Sequence, residues 1–441
     1  MKKSTLKIIL AVCACVLAAE LILVAVLHLS GSKEPTSLQT QPTFFSPQTT
    51  APVQTTQPPV QTLPPQTTGA PPTEPTEQRY TLTFVGDCTL GSNYGDIYSP
   101  HSLVQTVGTD YGYPFRNVVS YFENDDFTMA NLEVVLGNAG TPADKLFTFQ
   151  GPAEFVQCLT GSSVEAVTLA NNHVMDFGWE GYTTTKQILD DASVAYAEQD
   201  STCLFTTERG LVIGIYAAAF NIDRSDMAAD IRRLKDAGAE IIVVSVHWGE
   251  EGQYRATGDQ VYLAKAAIDA GADIVHGHHP HVLQEIQTYN GGLICYSLGN
   301  FAFGGNSYPR DLDSVIIQQE IIRDVDGTVH MGETKIIPCS ISSISGVNNF
   351  QPTPYEEGSY QYDRVLSKLN GTYSGSDLNV DYDFLDPTVP TGPVDPTNPE
   401  SDGSTDATPP PETDTTQPPE ADSSAGEETD TTTGGDAAVT E

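Results

Sequence analysis

Strand-like and helix-like segments alternate between Tyr80 and Ala270, which predicts an α/β fold with a largely parallel sheet covered by helices on both faces. Two further observations point the same way. Each strand-like run is rich in β-branched or apolar residues and ends on a residue that coordinates metal or moves protons. Four of the nine histidines, His276, His278, His279 and His281, fall within six residues just after one such run.

The chain opens with a basic segment, residues 1–7, carrying Lys2, Lys3 and Lys7. An apolar run from Ile8 to Leu29 follows, long enough to span a bilayer at about 1.5 Å per residue. Lysines ahead of it predict a cytoplasmic N-terminus, so 8–29 reads as a single-pass signal-anchor with the remaining chain extracytoplasmic. Ala18-Ala19 offers a cleaved signal as the rival reading, but the apolar run continues through Leu21 to Leu27. Glu20 inside the span costs about 2.5–3.5 kcal/mol at the bilayer centre. Residues 30–78 are Pro/Thr/Gln-rich and cannot bury enough surface to fold, which predicts a disordered, extended linker. The folded domain is expected over 79–370.

Within it, Tyr80–Val85 reads as a strand running into Gly86-Asp87, followed by a helix over Phe115–Glu123. Phe127–Ala130 leads into Asn131-Leu132-Glu133, then a helix over Pro152–Leu159. Ala166–Ala170 leads into Asn171-Asn172-His173 with Asp176 close behind, then a helix over Trp179–Asp191. After a helix over Ser225–Ala237, Ile241–Val246 leads into His247-Trp248-Gly249, with Glu250 and Glu251 next. A helix over Gly258–Ala270 precedes the strand Ala272–Val275 and the histidine cluster, and Tyr355–Leu369 forms a last helix. Residues 371–441 make an acidic Pro/Thr-rich tail without lysine or arginine, expected to be disordered.

Ligands in open α/β sheets bind at the carboxyl ends of the strands, and parallel strands aim those ends the same way. Asp87, Glu133, Asn172, His173, His247, His279 and His281 therefore converge. Mixed imidazole, carboxylate and amide donors suit a divalent transition metal (Mn, Fe or Zn) better than calcium. Around them, Asp176, Glu250 and Glu251 either orient a ligand histidine through its other nitrogen or are exposed acids. His276 and His278 read as structural or supporting residues, Asn300 as a buttress of the site loops and Trp248 as packing. Asp87 as a turn cap, Glu133 as a loop carboxylate, and His173 and His247 as hydrogen-bonded core histidines are the simpler alternatives.

Charge limits the partners. The chain holds 58 acidic and 20 basic residues, a net charge of −38, and residues 79–380 alone sit near −22. Such a field repels polyanions, and no basic stripe appears, which argues against nucleic acid. An anionic substrate needs the metal centre, with local help from Arg116, Arg224, Arg255 or Arg310. The five cysteines outside the apolar run are scattered and odd in number, so no disulfide framework is visible. Cys88, beside Asp87, is the one expected near the metal.

The segments GDCTLG, ANLE, ANNHVMDFG, HWGEE, GHHPHV and YSLGNF occur in that order between about residues 80 and 340. This set resembles the CapA family of poly-γ-glutamate synthesis proteins, which is similar in fold to the calcineurin-like metallophosphoesterases. The resemblance implies a two-sheet α/β sandwich flanked by helices, with one or two metal ions at the strand ends. Asp87 resembles the first-motif aspartate and Glu133 the second-motif carboxylate. Asn172-His173 resembles the Asn-His pair, His247 the isolated histidine, and His279 with His281 the closing His-x-His. By that analogy His173, with Asp176 beside it, is the candidate catalytic group, an outer-sphere acid.

The chain also departs from the pattern. Cys88-Thr89 follows Asp87 where Asp-x-His is usual, and Asn-Leu-Glu replaces a Gly-Asp pair. Gln150 stands where such chains often carry arginine, so a full dinuclear centre does not follow. The expectation is a membrane-anchored, extracytoplasmic metal-dependent hydrolase or transferase acting on a γ-glutamyl polymer or another anionic envelope substrate. A non-catalytic subunit of a polymer synthesis or export complex, and a phosphoesterase with another substrate, are the competing expectations. The sequence has no Walker-type phosphate loop, so no ATP-driven ligase step is expected.

Overall fold

The computed structural model describes residues 76–378. The basic segment 1–7, the apolar run 8–29, nearly all of the linker 30–78 and the tail beyond 378 lie outside the described residues. Among the described residues, no helix is long and apolar enough to cross a membrane.

Two large sheets carry the domain where the strand pattern alone suggested one, beside a small sheet of Ser92–Asn93, Phe149–Gly151 and Val135–Leu136. The first runs in the order Thr353–Pro354, Val329–Ser340, Asp313–Arg323, Gln78–Thr89, Phe127–Leu132, Ala166–Thr168, Ala195–Ala197, and Asn300–Phe303 pairs in parallel beside Asp87. The second runs Ile286–Tyr289, Gly292–Cys295, Ile274–His278, Ile241–His247, Val212–Ala219, Ser201–Thr206. The strands feeding the motifs are parallel to one another within each sheet. The long hairpin Asp313–Arg323/Val329–Ser340 is antiparallel and corrects the expectation of a largely parallel sheet. Its strands carry no motif residue, and only Asp313–Arg323 has a remote partner, Gln78–Thr89, more than 200 positions away.

Between the sheets, Tyr80, Leu82, Phe84, Phe127 and Met129 pack against Ile213, Ile215, Ile241, Val243 and Ile274. Helix Gly178–Ala192 and shorter helical turns cover the outer face of the first sheet. Helices Arg224–Asp236 and Gly258–Ala270 cover the second. Continuous burial along Ile241–His247 explains why its sequence is an unbroken apolar run.

Helix boundaries follow local chemistry. Thr257 and Gln260 form a capping box at the start of Gly258–Ala270, and Gly271 closes it at φ 111°. Asp223 accepts hydrogen bonds from the Ser225 and Asp226 amides to open the preceding helix. The expected helix Phe115–Glu123 shrinks to Val119–Phe122, because its uncapped start is a series of turns that drive Phe115 and Val118 into the outer core. Pro152–Leu159 becomes a 3-10 turn leading into Val156–Thr160, and the last helix starts at Tyr360 behind a Ser359 cap.

A register shift between Phe84 and Asp87 sets the geometry of the site. Before it, Tyr80, Leu82 and Phe84 face the inter-sheet core; after it, Cys88 and Leu90 enter the outer core. Gly86 permits this, since a Cβ there would lie 2.0 Å from the Gly299 carbonyl oxygen. Cys88, which by sequence could lie near the metal, packs in the outer core while still feeling the Asp87 and Glu133 charges. Its thiol packs on the opposite face from Asp87, and burial pushes its pKa up to about 12.

Candidate metal centre

The two sheets bring their strand ends together around Asp87 and Glu133, both fully buried. Asp87 ends the central strand of the first sheet; its Oδ1 accepts from Asn131 Nδ2 at 2.8 Å and its Oδ2 lies 3.4 Å from His281 Nδ1. His278 Nδ1 comes within 3.0 Å of Asp87 Oδ1 but is too poorly aligned to bond, which leaves both its ring nitrogens without a hydrogen-bond partner. Neither oxygen of Glu133 has a hydrogen-bond partner. Glu133 faces His247 Nε2 at 3.5 Å and His281 Nε2 at 4.0 Å.

His247 comes from the second sheet and meets Asn172 Oδ1 through Nε2 at 2.9 Å. His279 and His281 stand on a loop with left-handed backbone, φ 97° and 55°, which turns both rings inward. The His279 ring lies 4.7 Å from that of His247, and its Nδ1 is unpartnered. Asn300 accepts from His281 Nδ1 at 2.9 Å and so fixes that ring. His276 instead bonds the Val85 carbonyl at 2.8 Å and belongs to the inter-strand core. Trp248 is buried, its indole N–H donating to Tyr296 O, and Glu250 is exposed.

Ligand-capable atoms gather into two adjoining triads that share His281. One is Asp87, Glu133 and His281; the other is Glu251, His279 and His281; within each the atoms lie within 4.8 Å of one another. Glu251, read in sequence as a supporting residue, thus supplies a potential ligand atom itself.

Burial pushes the Asp87 carboxyl up, but the imidazoles of His278 and His281 outweigh it and hold it well below the usual range. Burial raises Glu133 well above that range, and Asp87, Glu251 and Asp176 add to the effect against His281. At His281 burial opposes protonation, yet Glu133 and Asp87 prevail and push it up to about 10. Burial, then the charge of neighbouring histidines, depresses His247 strongly and His279 to about 4. An unpaired buried carboxylate is costly, and neutral imidazoles and carboxylates are the donors a divalent transition ion takes. The residues present fit such an ion.

Beside the triads, His173 Nδ1 meets Asp176 Oδ2 at 2.8 Å, and the Phe149 amide donates to the same oxygen at 2.6 Å. Burial lowers the His173 pKa against the pull of Asp176. Lys145 pairs with Asp176 and donates to the Asn172 carbonyl at 2.9 Å. Lys145 is thus a cation beside the site, whereas of the arginines proposed for that role Arg116 pairs with Asp110, Arg224 with Tyr262, and Arg255 with Glu285. Lys145 lies in a polar loop with no periodic or motif signal. Asn131 and Asn171 were visible inside ANLE and ANNH, but their roles are not. Asn171 bridges Asn131 Oδ1 at 3.0 Å and the His173 amide at 3.0 Å, joining two strand ends.

Residues 81–305 match the family described as bacterial capsule synthesis protein PGA_cap, just over half of the chain. The chain belongs to this family. Among PGA_cap relatives, the capsule biosynthesis protein CapA of Bacillus anthracis is 32% identical over 273 residues, covering 55% of this chain and 64% of that protein. The PGA biosynthesis protein CapA of Bacillus subtilis is 30% identical over 313 residues, covering 66% and 77%. A probable polyglutamine synthesis accessory protein of Mycobacterium tuberculosis is 30% identical over 227 residues, covering 43% and 60%. Of solved structures, Haemophilus influenzae NAD nucleotidase aligns with a TM-score of 0.33 at 11% identity, covering 66% of this chain and 62% of that one. The yellow lupin purple acid phosphatase PPD1 aligns at 0.28 and 9%, covering 59% and 53%. Both likenesses are too distant to bear on chemistry.

Proposed function

We propose that this PGA_cap protein is a metal-dependent hydrolase or transferase acting on a γ-glutamyl polymer or another anionic envelope substrate. The supporting observation is Glu133, a fully buried carboxylate with no hydrogen-bond partner, set among Asp87, His247 and His281. Asp87, Glu133, Asn172, His247, His279 and His281, joined by Glu251, would hold one or two divalent ions. Such an ion supplies Lewis acidity toward an attacked carbonyl or phosphoryl oxygen.

The chain's own groups supply the rest. Asp176 accepts from His173 Nδ1, which leaves Nε2 to hold or move a proton at the reacting group. Lys145 offsets the Asp176 charge and, at 33% exposure, presents an ammonium at this rim to an incoming carboxylate. Because the domain as a whole is acidic, substrate is bound at the centre and not along the surface. The reading extends to location: the apolar run 8–29 anchors the chain and the catalytic domain works outside the membrane, alongside polymer synthesis or export subunits.

Metal content of the purified chain tests the reading, beside the double variant His279→Ala/His281→Ala. About one or two transition-metal ions per chain, lost in the variant, are expected. A chain that stays metal-free after refeeding manganese, iron and zinc sinks the proposal.

A further inference from the structure

The triad Glu251, His279 and His281 depends on a loop with no helix or strand of its own. Residues 248–257 run between the Ile241–His247 strand and the Gly258–Ala270 helix, with Gly249 and Gly252 both at positive φ. What fixes this loop comes from the far end of the domain. After helix Tyr360–Leu369 the chain turns at Gly371, and the amides of Thr372 and Tyr373 donate back to Ser367 O at 2.9 Å. It then crosses the loop. Arg255 Nη2 donates to Tyr373 O at 2.9 Å, the Tyr254 amide to Asp377 Oδ1 at 2.8 Å, and the Leu378 amide to Gly252 O at 2.9 Å.

Gly252, directly after Glu251, also donates its own amide to Pro280 O at 2.8 Å, and Pro280 lies between His279 and His281. The residue next to the carboxylate is therefore pinned on one side to the histidine loop and on the other to the C-terminal segment. That segment is firmly rooted. Lys368, its side chain 1% exposed, bonds Asp311 at 2.6 Å and Asp313 at 2.7 Å, and its ammonium lies over the rings of Tyr254 and Tyr373. Tyr254 completes the root by donating to Asp311 Oδ2 at 2.9 Å.

We infer that residues 371–378 are a strap that positions Glu251 for metal binding with His279 and His281. This rests on the metal centre proposed above. Ligand sets tolerate displacements of only about 0.5 Å, so a loop held from outside must be held on both sides. The strap acts on the triad containing Glu251, whereas Asp87 and Glu133 stand on strand ends and do not depend on it.

The full chain carrying Asp377→Ala/Leu378→Pro removes one acceptor and one donor of the strap without touching a ligand. Hydrogen exchange in EDTA reads the amides of Gly252 and Tyr254, and titration with manganese alone reads the site; Asp377→Ala by itself serves if the double variant does not fold. Exchange of the Tyr254 amide, which loses its acceptor, is expected to rise about tenfold, and that of the Gly252 amide, still bonded to Pro280 O, by less. One manganese equivalent should be lost or weakened about tenfold, and Glu251→Ala should reproduce that defect while leaving exchange in 371–378 unchanged. Unchanged exchange overturns the strap whatever the metal content. Raised exchange with wild-type manganese binding overturns its positioning role. A wild-type chain that binds no manganese overturns the metal reading itself, and the strap's assignment to a ligand with it.

Discussion

Replacing Glu133 by glutamine should make the metal-free protein more stable and the metal-loaded protein less so. Both carboxylate oxygens are buried without a hydrogen-bond partner, and His281, the nearest protonated group, lies 4.0 Å away and closer to Asp87. Leaving one buried polar group unsatisfied costs about 1–3 kcal/mol, and more when it is charged. Glutamine keeps the shape and removes the cost of burying or protonating this carboxyl at neutral pH, so in EDTA the variant should gain about 1–3 kcal/mol. For a folded region of this length that is a rise of roughly 2–6 °C in the unfolding midpoint. With metal at about 1,000 times its dissociation constant the wild-type chain gains about 4.1 kcal/mol, more than the variant's advantage in EDTA, and the variant largely forfeits it. Thermal unfolding of both proteins, with EDTA and with manganese, should therefore show the order of stability inverting. A variant less stable than wild type in EDTA would mean that the carboxylate makes a favourable contact within the protein. The account of why an acid is buried there would then fail.

Three other outcomes are expected. His173→Ala should lower turnover of a γ-glutamyl substrate by about 10²–10⁴ while metal content is retained; a variant as active as wild type removes His173 from the chemistry. Asp313→Asn breaks a buried cluster with Arg364 and Lys368 and should cost about 3–5 kcal/mol in urea unfolding at pH 7. Burial raises the Asp313 pKa, but Arg364 and Lys368 outweigh it and hold the carboxyl below its unfolded value. Its stabilisation is thus present above the unfolded pKa of about 3.9 and fades as pH falls through the native value. The two urea curves should converge under acid, and a gap that persists there contradicts the ion-pair account. Gly86→Ala places a methyl 2.0 Å from Gly299 O and should cost more than about 3 kcal/mol or prevent folding, read by thermal melting. An unperturbed melt would show that the two segments can separate freely.

Part of this protein could be read without coordinates, because local patterns report local forces. The run Ile241 to Val246 is apolar throughout because that strand is buried throughout. Thr257, Gln260 and Gly271 mark the ends of a helix through hydrogen bonds made within a few residues. The motif residues at successive strand ends follow from the direction of parallel strands, so Asp87, Glu133, His247, His279 and His281 could be named together. Tertiary structure decided what depends on distant partners. The division between sheets and the docking of the Asp313–Arg323 strand against Gln78–Thr89 depend on pairings remote in sequence. A register shift beside Gly86, imposed by the Gly299 backbone, sends Asp87 to the site and Cys88 away from it. Lys145 reaches Asp176 from a loop without periodicity, and Glu251 is held by residues more than 100 positions downstream. Such contacts leave no mark in the local pattern, because the free energy that fixes them is gained only when separate segments close around one another.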